Sequence, residues 1–198
     1  MEKNRDYLIH PQFIVLYLLL ASLSFLFLGF SLAYLYNRVQ NGLPPIELPS
    51  LFYFNTLILI GTSYLLKMTK QSYLDDKTEK YQKLLWSILI LTLLFLALQV
   101  LAWLQLQANN VSFTGSNMAT YLYVVSGLHF AHVVGGLPFL AYFIYVAYKR
   151  MKEPVSVLIY FSDPDKKRGL DLLTIYWKFL DYLWIYLVLF FLINYLIK

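Results

Sequence analysis

Five long stretches nearly free of charge dominate the sequence and constrain its fold more than any other feature. Pro11 to Tyr36 carries no charged side chain, and about 20 helical residues suffice to cross a bilayer core. Pro49 to Leu66, Leu84 to Gln107, Ala119 to Tyr148 and Leu172 to Ile197 follow the same pattern, the second more polar and the last alone holding charges inside. A membrane strand would alternate polar and apolar residues over roughly 10 positions. These blocks do not alternate, so each reads as a helix. The expected fold is an all-α membrane protein: one domain over residues 1–198, a five-transmembrane-helix bundle with spans near 11–36, 49–66, 84–107, 119–148 and 172–197.

The charged fraction of 14% supports this, since soluble domains carry about 25%. The net charge of +5 does not point to nucleic acid, because the basic residues sit between the apolar blocks as topology signals. With no cysteine in the chain, disulfides, zinc–thiolate sites, iron–sulfur clusters and thiol catalysis are excluded together. The first block is too long for a signal-peptide core and no small-residue cleavage site follows it, so no cleaved leader is expected.

Lysine and arginine favour one side of the membrane. Lys3, Arg5, the five lysines from Lys67 to Lys83 and the six basic residues from Lys149 to Arg168 make thirteen. The other side holds only Arg38 and Lys198, and Lys178 lies within a span. The positive-inside rule then predicts a cytoplasmic N-terminus and a periplasmic C-terminus. The loop from Ala108 to Met118 is polar and uncharged, and the segment holding Pro154, Pro164 and Gly169 reads as a turn-rich cytoplasmic connector.

Polar groups inside a membrane mark function or helix packing. In the fourth span, His129 and His132 share a face with Gly136, while Gly127, Ala131 and Gly135 form a small-residue series on another, fit for close helix approach. A metal reading of the histidine pair fails for want of ligands: zinc needs three or four, His10 lies outside the core, and only Asp181 is an obvious carboxylate. Two histidines of one helix cannot take opposite faces of a heme. The pair reads instead as interhelical hydrogen-bond donors. In the fifth span, Lys178 and Asp181 are three apart, so Asp181 is expected either to pair with Lys178 or to bond to a neighbouring helix. Trp177 and Trp184 flank Asp181 on the same seam. Gln99 and Trp103 share a face of the third span, and Asn55, Leu59, Thr62 and Ser63 form a hydrogen-bonding stripe on the second. No nucleophile–base pair is present. The residues alone describe a packing subunit.

Four segments add a resemblance. Tyr123 to Gly136 reads Y-V-V-S-G-L-H-F-A-H-V-V-G-G and resembles the T-G-F-H-G-x-H-V-x-x-G pattern of subunit III of heme–copper respiratory oxidases, matching at Gly127, His129, His132, Val133 and Gly136. Tyr176 to Trp184 is similar to that family's Y-W-H-F-V-D-x-x-W, matching at Tyr176, Trp177, Phe179, Asp181 and Trp184. Leu48 to Ser63, with Asn55 and Thr56, looks like P-x-x-x-x-x-N-T-x-x-L-x-x-S-S; Phe95 to Trp103, with Gln99 and Trp103, looks like F-x-x-x-Q-x-x-E-[WY]. Five spans resemble the shorter bacterial form, which lacks the first two helices of the seven-helix form. The chain departs from the family at Ala102, where the family has glutamate, and at Lys178, where it has histidine.

The resemblance implies a non-catalytic accessory subunit of a proton-pumping terminal oxidase in the bacterial cytoplasmic (inner) membrane. It implies no cofactor bound by this chain beyond structural phospholipid, with heme and copper in partner subunits. The implied partners are subunit I directly, subunit II and other respiratory subunits, a respiratory supercomplex, and membrane lipid; nucleic acid is not among them. It further implies that the chain stabilises subunit I and supports its proton uptake. His129, His132, Asp181 and Lys178 are expected to form a structural polar network. Two alternatives stand beside this reading: a partner of a nitric oxide reductase, and a small ion-coupled transporter using Lys178 and Asp181.

Overall fold

A computed structural model describes residues 10–197; Lys3, Arg5 and Lys198, which enter the charge count above, lie outside the described residues. Six helices and no strand occur among them: α1 (Pro11–Asn41), α2 (Ser50–Leu74), α3 (Thr78–Ala108), α4 (Asn117–Arg150), α5 (Pro154–Ser162) and α6 (Pro164–Leu196). All but α5 are long and apolar enough to cross a membrane. This is a multi-pass membrane protein.

Local chemistry sets the helix ends. Proline at the first helical position costs no hydrogen bond and presets φ, and it opens α1, α5 and α6. The Ser116 hydroxyl accepts the Ala119 N–H at 3.1 Å and caps α4. Gly42, at φ +57°, closes α1 in the left-handed conformation that favours glycine, and the Leu43 N–H reaches back to the Arg38 carbonyl at 3.1 Å.

The helices outrun their apolar blocks. α6 has 33 residues, about 50 Å at 1.5 Å per residue, against a hydrocarbon core of about 30 Å. Its first turns, with Asp165, Lys166, Lys167 and Arg168, continue the helix through charged sequence. The connector reading of Pro154, Pro164 and Gly169 is therefore corrected. Pro154 and Pro164 start helices, with the Asp163 side chain capping α6 by accepting the Asp165 N–H at 2.8 Å. Gly169 lies inside α6, where a Cβ would come within 2.9 Å of Phe143 Cζ, so glycine permits the approach of α4 and α6.

Helices α2, α3, α4 and α6 form a ring in which each packs on the next and α6 closes back on α2; α1 leans on α4 and α6 from outside. Only 11% of the most apolar window of α1 is buried, against 44% for α6, so α1 is the helix least covered by the rest of the chain. Trp177, Trp184, Phe95 and Leu122 fill the interior of the ring. Lipid is as apolar as these side chains, so close packing and interhelical hydrogen bonds hold such a bundle together.

Candidate functional site

Five buried polar side chains are gathered in the ring's interior. Asn55, Thr62, Gln99 and His129 are fully buried and Asp181 is 2% exposed. Each sits on a face that its helix turns inward, as the stripe on α2 and the Gln99–Trp103 spacing on α3 require.

His129 carries the link between α4 and α6. Its Nε2 lies 3.0 Å from the Leu180 carbonyl oxygen, which can only accept, so Nε2 bears the hydrogen. Trp184 packs on the same ring at 5.0 Å between centroids and also meets Phe95 at 5.2 Å and Phe52 at 5.3 Å. Trp184 Nε1 donates to Thr56 Oγ1 at 3.2 Å. One indole thereby joins α2, α3, α4 and α6. Between α2 and α3, Asn55 Nδ2 donates to Gln99 Oε1 at 2.9 Å. Between α3 and α4, Trp103 Nε1 donates to Ser126 Oγ at 3.0 Å.

Asp181 faces α2. Ser63 donates to its Oδ2 at 2.5 Å, and Thr62 Oγ1 approaches both carboxylate oxygens at 3.4–3.5 Å. The Thr62 hydroxyl also lies 2.8 Å from the Leu59 carbonyl, the better geometry for its single proton, which leaves Ser63 as the principal donor. Of the two partners foreseen for Asp181, the neighbouring helix is the one it takes. Lys178 is half-buried and makes no ion pair with it.

The histidine pair diverges. His132 Nδ1 meets the Leu128 carbonyl of its own helix at 2.6 Å, so it bears hydrogen on the opposite nitrogen from His129. Its ring turns towards Phe27 of α1, and its backbone carbonyl accepts Tyr176 Oη at 2.9 Å. The structure brings His129, Trp184, Thr56, Asn55 and Gln99 together, joins Asp181 to α2, and leaves His132 and Lys178 at the margin. Among the described residues no three His, Asp or Glu side chains group closely enough to hold a metal.

Gly136 admits the aromatic pair of α6: a Cβ there would lie 2.8 Å from Trp177 Cζ3 and 2.9 Å from Tyr176 Cε1. The small-residue series behaves differently. A Cβ on Gly127 or Gly135 would meet nothing within 4 Å, so close approach within this chain uses the histidine face and leaves the small-residue face open.

Sequence reasoning missed two contacts. Arg38 Nη1 donates to the Asn194 carbonyl at 2.5 Å and to Asn194 Oδ1 at 3.2 Å, and Nη2 reaches the Ile197 carbonyl, capping the C-terminus of α6. Its isolation as the only basic residue of the first loop was the available signal. Ser126, three residues before His129 on the same face, was the other.

A family model described as Cytochrome c oxidase subunit III matches residues 13–195. The chain is 30% identical over 184 residues to cytochrome c oxidase subunit 3 of Thermostichus vulcanus, covering 90% of this chain and 86% of that one. It is 29% identical over 177 residues to cytochrome c oxidase subunit 3 of a Synechocystis species, covering 86% and 70%. To cytochrome c oxidase subunit 3 of Polypterus ornatipinnis it is 25% identical over 186 residues, covering 86% and 64%.

Proposed function

The chain belongs to the cytochrome c oxidase subunit III family, and from that premise we propose that it is the accessory membrane subunit of a heme–copper terminal oxidase, packed against subunit I. It sits in a bacterial cytoplasmic membrane with its N-terminus in the cytoplasm and its C-terminus in the periplasm. It stabilises subunit I, holds structural phospholipid and supports proton uptake by its partner, while heme and copper reside in other subunits. Subunit II and further respiratory subunits complete the assembly.

The observation that carries this reading is how the buried polar groups are used. His129, Asn55, Gln99, Asp181 and Trp184 bond from helix to helix within the chain. In lipid such bonds contribute about 0.6 kcal/mol each and up to roughly 1.7, the energetics of a scaffold. The atoms of this set that lack a partner, Asn55 Oδ1, Gln99 Nε2 and His129 Nδ1, are enclosed within the bundle, whereas chemistry on an external substrate would need convergent groups open to it. His129 and Asp181 act as positioning residues of this scaffold, with His132 and Lys178 at its edge.

Purification through a tag on this chain tests the proposal. The expected result is co-purification of a catalytic subunit with the optical spectrum of a heme–copper oxidase and proton-pumping oxygen reduction. Recovery with a nitric oxide-reducing subunit would overturn the oxidase assignment, and ion transport by the chain alone in liposomes would overturn the accessory role.

A further inference from the structure

Helix α5 is built the wrong way round for a helix surrounded by water. Its nine residues, Pro154–Ser162, include no charge, and it spans about 14 Å at 1.5 Å per residue. One face packs inward: Tyr160 is buried, with Val157 and Phe161 beside it. Tyr160 and Phe161 lie among Tyr73 and Tyr81 at centroid distances of 5.1–6.4 Å, and Tyr73 Oη donates to the Tyr160 carbonyl at 3.1 Å. The opposite face is also apolar. Val155, Leu158 and Ile159, at helical spacing, are 69%, 65% and 65% exposed.

The position of α5 identifies what lies against that face. It joins the end of α4 to the start of α6 and packs on the junction of α2 and α3. The apolar blocks of α2 and α3 stop at Leu66 and Leu84, and the α5 partners Tyr73 and Tyr81 lie about 10 Å and about 5 Å beyond those ends at 1.5 Å per residue. Those depths bracket the outer part of the headgroup layer, which adds about 5–8 Å to each side of the hydrocarbon core.

The flanking charge matches an anionic surface. Lys149, Arg150 and Lys152 precede α5, and Lys166, Lys167 and Arg168 follow it. Of the nearby acids, Asp163 is engaged as the α6 cap and Asp165 pairs with Arg168; Glu153 is exposed. Lys149 Nζ lies 2.9 Å from Tyr145 Oη, and Lys166 Nζ sits over the Tyr142 ring at 6.0 Å. Both tyrosines are exposed, the arrangement of a membrane-interface belt with snorkelling lysines.

We propose that α5 is an interfacial membrane anchor, with Val155, Leu158 and Ile159 seated at the acyl boundary of the surrounding leaflet and Lys152, Lys166 and Lys167 holding anionic phospholipid headgroups. A helix of this kind binds by its apolar face and by charge attraction together. The inference rests on the membrane-spanning fold and is independent of the oxidase assignment.

This chain has no cysteine, so each introduced cysteine is its single labelling site, and the unsubstituted complex treated with the same label supplies the background from partner subunits. Val155→Cys, Leu158→Cys and Ile159→Cys are each spin-labelled in the purified complex and reconstituted into vesicles of phosphatidylcholine with phosphatidylglycerol. Glu79→Cys, on a side chain 89% exposed, serves as the water reference. The three α5 labels are expected to collide more with oxygen than with a water-soluble nickel chelate, and the reference label the reverse. Combining Lys152→Glu, Lys166→Glu and Lys167→Glu with Leu158→Cys is expected to move the label towards water in the phosphatidylglycerol vesicles. In phosphatidylcholine alone its depth should stay the same. Water-like collisions at all three α5 positions would overturn the proposal. So would immobile labels shielded from both reagents, which would mean that a partner subunit covers the face. An unchanged depth in the charge-reversed variant would overturn the headgroup assignment.

Discussion

His129 of α4 donates from Nε2 to the main-chain carbonyl of Leu180 in α6, at 3.0 Å, in a site from which solvent is excluded. A side chain that bonds to another helix's backbone fixes the rotation and height of both. Replacement by leucine leaves the packing volume but removes the bond. His129→Leu is expected to lower the chain's stability by about 1–2 kcal/mol. His132, bonded within its own helix, should cost less than half as much when changed to leucine. Thermal melts of the two variants in detergent compare them, and equal losses would contradict the assignment.

Ser63 and Asp181 should be energetically coupled. A double-mutant cycle with Ser63→Ala and Asp181→Asn is expected to give an interaction of about 1 kcal/mol. Lys178→Gln, in the same cycle with Asp181→Asn, should be additive, because no Lys178–Asp181 pair is formed. Coupling to Lys178 in place of Ser63 would restore the local ion pair.

The glycines of α4 separate close approach from open space. Gly136→Ala places a Cβ 2.8 Å from Trp177 Cζ3, and overpacking of this kind costs about 1–3 kcal/mol. Gly127→Ala meets nothing and gains up to about 1 kcal/mol of helix propensity. Opposite signs in the change of melting temperature are expected for the isolated chain. A larger loss for Gly127→Ala in the assembled complex than in isolation would place a neighbouring subunit on the small-residue face.

Arg38→Gln should fray the end of α6. The guanidinium satisfies carbonyls at Asn194 and Ile197 that have no donor within the helix. Charged capping of this sort is worth about 1.5–3 kcal/mol, so amide exchange over the last turn should accelerate by roughly 10-fold or more. Unchanged protection would show that the cap is dispensable.

Much of this was legible in advance. The five spans followed from the uncharged blocks, and the α2 stripe of Asn55, Thr62 and Ser63 pointed to bonds with neighbouring helices. The helix ends are not legible from hydropathy, because α6 continues through Lys166, Lys167 and Arg168 once it leaves the hydrocarbon for the polar surroundings that accept its charges. Pro154 and Pro164 fit turn residues by sequence, yet proline at the first position of a helix has the same signature. That ambiguity hid α5. Spacing of three between Lys178 and Asp181 permits a pair, but only the position of Ser63 decides that Asp181 turns to α2. Likewise, His129 and His132 share a helix face, and the choice of different carbonyls separates them.

Heme content per catalytic subunit is the most direct test of an accessory role. The complex is purified from cells carrying His129→Leu and His132→Leu together, and its reduced-minus-oxidised spectrum is normalised to catalytic subunit. Less of this chain should remain bound after the double change, while the heme bands per catalytic subunit stay unchanged. Loss of a heme band from fully assembled complex would make these histidines ligands and contradict the account.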